Sequence, residues 1–157
     1  MTTDSEAMDR IMAAVAVLHA GDQATARTLF AALWADAEVT RSPARRCVLA
    51  HYAADAQNDL AQELIWDQRA LAAAEAAPDG TIAAGEVILS IDVFLPSLHL
   101  NLGDVCRRSG LLEQARRHAD KARATSVVLP EDGYGTAVRA AIERLADRLA
   151  DRLADAT

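Results

Sequence analysis

Between residues 98 and 123, in LHLNLGDVCRRSGLLEQARRHADKAR, two glycines and three alanines leave the chain few ways to fold. A run of leucines leads to Gly103 and Gly110, and Ala115, Ala119 and Ala122 follow at helical spacing. Side chains this small let two helix axes approach closely, while a glycine at 110 supplies the positive φ that ends a helix. The stretch predicts two short helices folded back on each other. Hydrophobic residues make up 52% of the 157 residues but aromatics only 4%, so alanine carries much of the core and close helix packing replaces large rings. With 4 prolines and 7 glycines to interrupt the chain, an all-helical protein follows, as a single domain over 1–157.

Local signals extend this reading along the chain. Thr3 and Glu6 form a capping box ahead of Met8, Ile11, Met12, Val15 and Leu18, and the first helix stops at Gly21. Asp22 caps a second helix with Ala26, Leu29, Phe30, Leu33 and Trp34 on its apolar face. That helix fades through Val39 into a break. Ser42 and Pro43 open a third helix through Cys47, Val48, His51 and Tyr52, and Asp59 caps a fourth with a stripe of Leu60, Leu64, Asp67 and Leu71. Residues 81–95, TIAAGEVILSIDVFL, break the rhythm: their near-continuous apolar, β-branched run reads equally as strand or helix. With no partner strand elsewhere, the irregular connection 78–95 is expected to lie across the other helices, partly helical or extended. A turn from Leu129-Pro130 to Gly135 precedes a last helix over 136–155, striped by Val138, Ile142, Leu145, Leu149 and Leu153.

A formal charge of −7 and a pI near 5.0 argue against nucleic acid and anionic membranes as partners. No apolar run approaches the roughly 20 residues of a membrane span, and MTTDSEAMDR lacks the basic region and cleavage site of a secretion signal. The cytoplasm is the expected location. Cys47 and Cys106 stand alone, without the spacing of a zinc site, and are expected as reduced core residues. Trp34 and Trp66 are expected as packing residues, Trp66 being the more exposed, and His19 and His118 as solvated side chains near helix ends.

The opening pattern recurs. HAGDQATARTLFAAL at 19–33 matches GLLEQARRHADKA through Gly21/Gly110, Ala26/Ala115, Phe30/Ala119 and Leu33/Ala122, and residues 45–71 fit between as a third unit with Ala70 at the last position. On these residues the chain resembles the tetratricopeptide repeat family over about three quarters of its length. The resemblance implies a right-handed stack of antiparallel helix pairs, about three units, whose first helices line a concave groove and whose last helix caps the end. It implies a groove that binds a peptide or partner protein, lined by Ile11, Val15 and Leu18, by Arg45, Val48, Tyr52 and Asp55, and by Leu100, Asp104, Arg107 and Arg108. The family's clamp for a C-terminal carboxylate finds only Arg45, Asn101, Arg107 and Arg108 as candidates.

The middle unit departs from the pattern, with His51 in the place of Gly103, Glu63 in that of Ala26 and Ala115, and Asp67 in that of Phe30 and Ala119. A buried carboxylate must be paired or hydrogen-bonded, so His51, Glu63 and Asp67 are expected as a buried polar network, with His51 facing Asp67. Used chemically, His51, Asp55, Glu63 and Asp67, with His99 and Asp104, would be an acid/base or metal site. No HExxH, second histidine at metal spacing or nucleophile motif supports that use, so neither catalytic residues nor metal or other cofactor are expected. Three functions remain: a non-catalytic protein- or peptide-binding module, which leads; a small-molecule binder or enzyme in which 81–95 closes over the groove as a lid; and a structural homodimer through the last helix.

Overall fold

The computed structural model describes residues 3–77, 79–84 and 87–155. The protein is all-α apart from one small hairpin, and its internal contacts gather into two compact units, Met1–Ile91 and Asp92–Thr157.

The first unit begins with α1 (Asp4–His19), α2 (Gln23–Ala35), α3 (Ala37–Thr40), α4 (Pro43–Asp55) and α5 (Leu60–Glu75). Each start has a local cause. Thr3 and Glu6 close the capping box, Thr3 N–H donating to Glu6 Oε2 at 2.7 Å and Glu6 N–H to Thr3 Oγ1 at 3.2 Å. The carboxylates of Asp22 and Asp59 accept from the N–H groups of Thr25 and Gln62, and Ser42 Oγ accepts from Arg45 N–H with Pro43 in the first turn. Gly21, at φ +93°, turns the chain between α1 and α2. The stretch through Val39, expected as the fading end of the second helix, is instead the separate helical turn α3, because the Asp36 carboxylate caps it through Glu38 N–H at 2.9 Å. Ile11, Val15, Phe30, Val39 and Leu49 are among this unit's fully buried large side chains.

The ambiguous segment resolves as both alternatives in series. β1 (Thr81–Ala84) pairs antiparallel with β2 (Val87–Ser90), with Thr81 opposite Ser90, and a 3₁₀ turn over Ile91–Phe94 follows. The partner strand missing from the rest of the chain lies within the segment itself. Ile82 is buried and Ile88 is 70% exposed, so the ribbon has one covered and one open face. Positions 78, 85 and 86 of the connection lie outside the described residues.

In the second unit, α6 (Leu95–Arg108), α7 (Leu112–Thr125) and α8 (Gly133–Asp155) pack on one another. Gly110 has φ +79°, the left-handed turn expected between α6 and α7. Gly103 is a close approach: a Cβ there would stand 2.7 Å from Leu145 Cδ2 and 3.4 Å from Ala115 O. Leu98, Leu102, Val105 and Ile142 are the large buried side chains. α8 starts three residues earlier than expected, inside the anticipated turn, because Asp132 Oδ1 accepts from Gly135 N–H at 2.9 Å. Val138, Ile142, Leu145 and Leu149 face inward as the stripe required, while Leu153 stays exposed.

One burial pattern recurs in both units. Ala26, Phe30 and Leu33 on α2 are buried; so are Ala115, Ala119 and Ala122 on α7; and so are Asp67 and Ala70 on α5.

Candidate functional site

In the first unit α4 carries His51, Tyr52 and Asp55, and α5 carries Glu63 and Asp67. Asp67 is the buried carboxylate that its position on the stripe demanded, 3% exposed, and its Oδ1 receives no hydrogen bond. His51 and Glu63 are half-buried. Burial pushes the His51 imidazole below its ordinary pKa, and the Asp55 carboxylate opposes that shift. Asp55 is an exposed residue, yet the packing around its carboxyl costs hydration and lifts it above the usual range; the charge of Glu63 pushes the same way, while His51 and His19 pull it down. Tyr52 meets both histidines edge-on, with ring centroids 5.1 Å from His51 and 6.0 Å from His19. Asp55 thus lies within electrostatic reach of His51, Glu63 and His19, with Tyr52 against both imidazoles. Such a group can hold or pass on a proton.

The residues expected along a groove divide sharply. Ile11, Val15 and Val48 are buried in the core, so they pack rather than present themselves to a ligand. Arg45 is also enclosed, at 6% exposure, and its guanidinium is occupied: Nε donates to Val39 O at 2.9 Å, Nη2 to Glu38 O at 3.0 Å and Nη1 to Asp4 Oδ1 at 2.5 Å. It ties α3 and α1 to α4, and at 6% exposure its two remaining N–H groups are enclosed rather than presented as a carboxylate clamp. Leu18, Tyr52 and Leu100 are half-buried, and Leu100 packs on the core cluster of Ala122, Leu129, Val138 and Ile142.

Asp104, Arg107 and Arg108 keep solvent contact but are bound to one another. Arg107 Nη2 donates to Asp104 Oδ1 at 2.9 Å and Arg108 Nε to Oδ2 at 2.8 Å. Desolvation alone would raise the Asp104 carboxyl, but the two guanidiniums outweigh it and hold it below the usual range.

His118, expected as a solvated side chain, is half-buried against His99, their Nδ1 atoms 3.2 Å apart. The ring planes differ by 27° and the centroids lie 5.4 Å apart, close to the N···N distance plus two ring radii. The rings therefore meet head to head, one Nδ1–H donating to the other Nδ1. His99 is 6% exposed; burial, then the charges of His118 and Lys121, lower its pKa to about 4.

Trp34 and Trp66 pack edge to face with centroids 5.2 Å apart. Both pack as expected, but Trp66, expected to be partly exposed, is buried, and Trp34 is half-buried. The guanidinium of Arg69 lies 4.5 Å from the Trp66 ring centre and 5.3 Å from that of Trp34. The approach of Trp34 on α2 to Trp66 and Arg69 on α5 had no local signal. Cys47 is a buried thiol pushed up to about 12 by burial, an inert packing group as expected. Among the described residues no group of three or more His, Cys, Asp or Glu is placed to hold a metal ion, and no helix is long and apolar enough to cross a membrane. No protein-family model, curated protein or solved structure matches the chain.

Proposed function

We propose that the protein is a non-catalytic interaction module of the cytoplasm, a tetratricopeptide-repeat-like stack of helix pairs that binds a peptide segment or partner protein. The observation that carries this reading is the recurrence of one packing pattern at one spacing, Ala26/Phe30/Leu33 and Ala115/Ala119/Ala122, with Asp67 and Ala70 at the corresponding places of the middle pair. A repeated helix pair buries its small-residue face against its neighbours and leaves its other faces for ligands. Selection of peptides from a displayed random library on the immobilised protein tests it. The expected result is a shared sequence pattern whose synthetic peptide binds saturably in solution. If no pattern emerges and a metabolite raises the melting temperature instead, the module reading is lost.

A second reading has its own observation in its favour. The opposed shifts of His51 and Asp55 within one cluster suit a small-molecule binder or enzyme that handles a proton. Stabilisation by a small molecule that disappears in His51→Gln is the outcome expected of it.

A further inference from the structure

We propose that the surface recess lined by Trp34, Arg46, Arg69, Ala72 and Ala73 docks an acidic peptide segment of a partner protein, a carboxylate seated at the two guanidiniums with an apolar neighbour against the indole. This rests on the interaction-module reading and gives its partner a chemistry.

Charge is the first support. The chain has 23 acidic against 16 basic side chains, and Arg10, Arg45, Arg107 and Arg123 each meet a carboxylate. Among the described residues Arg46 and Arg69 meet none, as is also true of Arg27 and Arg116; what sets the first two apart is that they line one recess. Arg46 Nη1 donates to Thr40 O at 2.6 Å, and Arg69 lies over the two indoles. Two cations flanking one apolar recess, in a chain of net charge −7, are complementary to an anion brought in from outside.

Geometry is the second. A guanidinium held over a ring keeps the N–H edge in its plane able to fork onto a carboxylate, and the hydrogen bond from Arg46 anchors that side chain while leaving other donors. Both cations are partly ordered before binding, so less side-chain entropy is lost on contact. Size is the third. The recess holds about 190 Å³, below the roughly 300–1,000 Å³ of sites that enclose a small molecule, and it is open to solvent. It fits one or two side chains of a segment passing over the surface. The attraction is local, because at physiological salt the field of exposed charges fades within about 8 Å.

Trp34 and Trp66 are the chain's two tryptophans, so intrinsic fluorescence reports on this place alone. The probe is an acetylated, amidated peptide alternating Glu and Leu, compared with the same peptide carrying Gln for Glu. The expected result is a saturable change with the Glu peptide, weakened as salt rises from about 50 to 300 mM. Binding falls about tenfold or more for the Gln peptide and for the Arg46→Gln/Arg69→Gln double variant, with circular dichroism and melting unchanged. Should loss of the Thr40 contact unsettle α3, Arg69→Gln alone carries the comparison, since that side chain lies on the surface.

No saturable response at roughly millimolar peptide in low salt overturns the proposal, as does equal binding of the Gln peptide or full binding by Arg69→Gln. Benzoate binding as tightly as the Glu peptide overturns it too, making the recess a site for small carboxylates. If library selection yields peptides that bind undiminished to the double variant, this site falls while the module reading stands. If selection yields none but the Glu peptide binds here, dependent on Glu and on Arg69, this site stands and the search for a second peptide site on the module fails.

Discussion

Arg45 shows how a charged side chain can be structural through every one of its nitrogens. Three of its nitrogens are committed, two of them to backbone carbonyls of the 38–39 turn. Arg45→Ala is expected to destabilise by about 2 kcal/mol or more in urea unfolding, by leaving buried carbonyls without donors, and Arg45→Lys to recover only part, since an ammonium cannot span the same acceptors. An alanine variant as stable as the parent would return Arg45 to the surface. At His99 the prediction concerns pH. Its folded pKa lies near 4, against 6.5 ordinarily, so the unfolded chain takes up a proton where the folded one does not. Stability is full above about pH 6.5 and drains between there and about pH 4, by an amount on the order of 1–3 kcal/mol. Urea midpoints across that range, flatter for His99→Gln, are the check; an identical slope in the variant removes His99 as the cause. Neither residue's role was legible beforehand. The Arg45 acceptors come from a turn that reads as a break in sequence, and His118 lies on a helix face that reads as solvated.

Helix starts were legible because capping is local: Thr3 with Glu6, Asp22, Ser42 with Pro43, and Asp59 all act within three residues of themselves. The hairpin was not, because its strands are each other's only partners and their alternation is hidden in a continuous apolar run. Two tests follow at this scale. Gly103→Ala sets a methyl 2.7 Å from Leu145 Cδ2, so Leu145 must shift, at a cost of about 1–3 kcal/mol. Pairing it with Leu145→Ala in a double-mutant cycle should recover part of that cost, and strict additivity would show that the two positions do not touch. On the ribbon, Ile82→Ala is expected to lower the melting temperature while Ile88→Thr leaves it within error, since only the first side chain is buried. A larger effect at Ile88 than at Ile82 would mean that the strand faces are reversed.

At the scale of the molecule, composition was enough to point to a mostly helical chain, though not to its one small hairpin, and it could say nothing of where contacts concentrate. Residues 92–157 contain a set of buried side chains of their own, Leu98, Leu102, Val105 and Ile142 among them. Expressed alone, this piece is expected to keep helical circular dichroism and to melt cooperatively, though at a lower temperature, because so short a chain buries a smaller share of its surface. A random-coil spectrum would rule out its independence. Within it, the head-to-head histidines set a polarity across the α6–α7 pair. In the neutral state the ring that donates through Nδ1–H has a bare Nε2, and the ring that accepts has Nε2–H, so the two outer nitrogens are always of opposite kind. Moving the shared proton across 3.2 Å, with the compensating exchange at the far ends, inverts both at once, and a group bonded to one outer nitrogen thereby selects the state of the other.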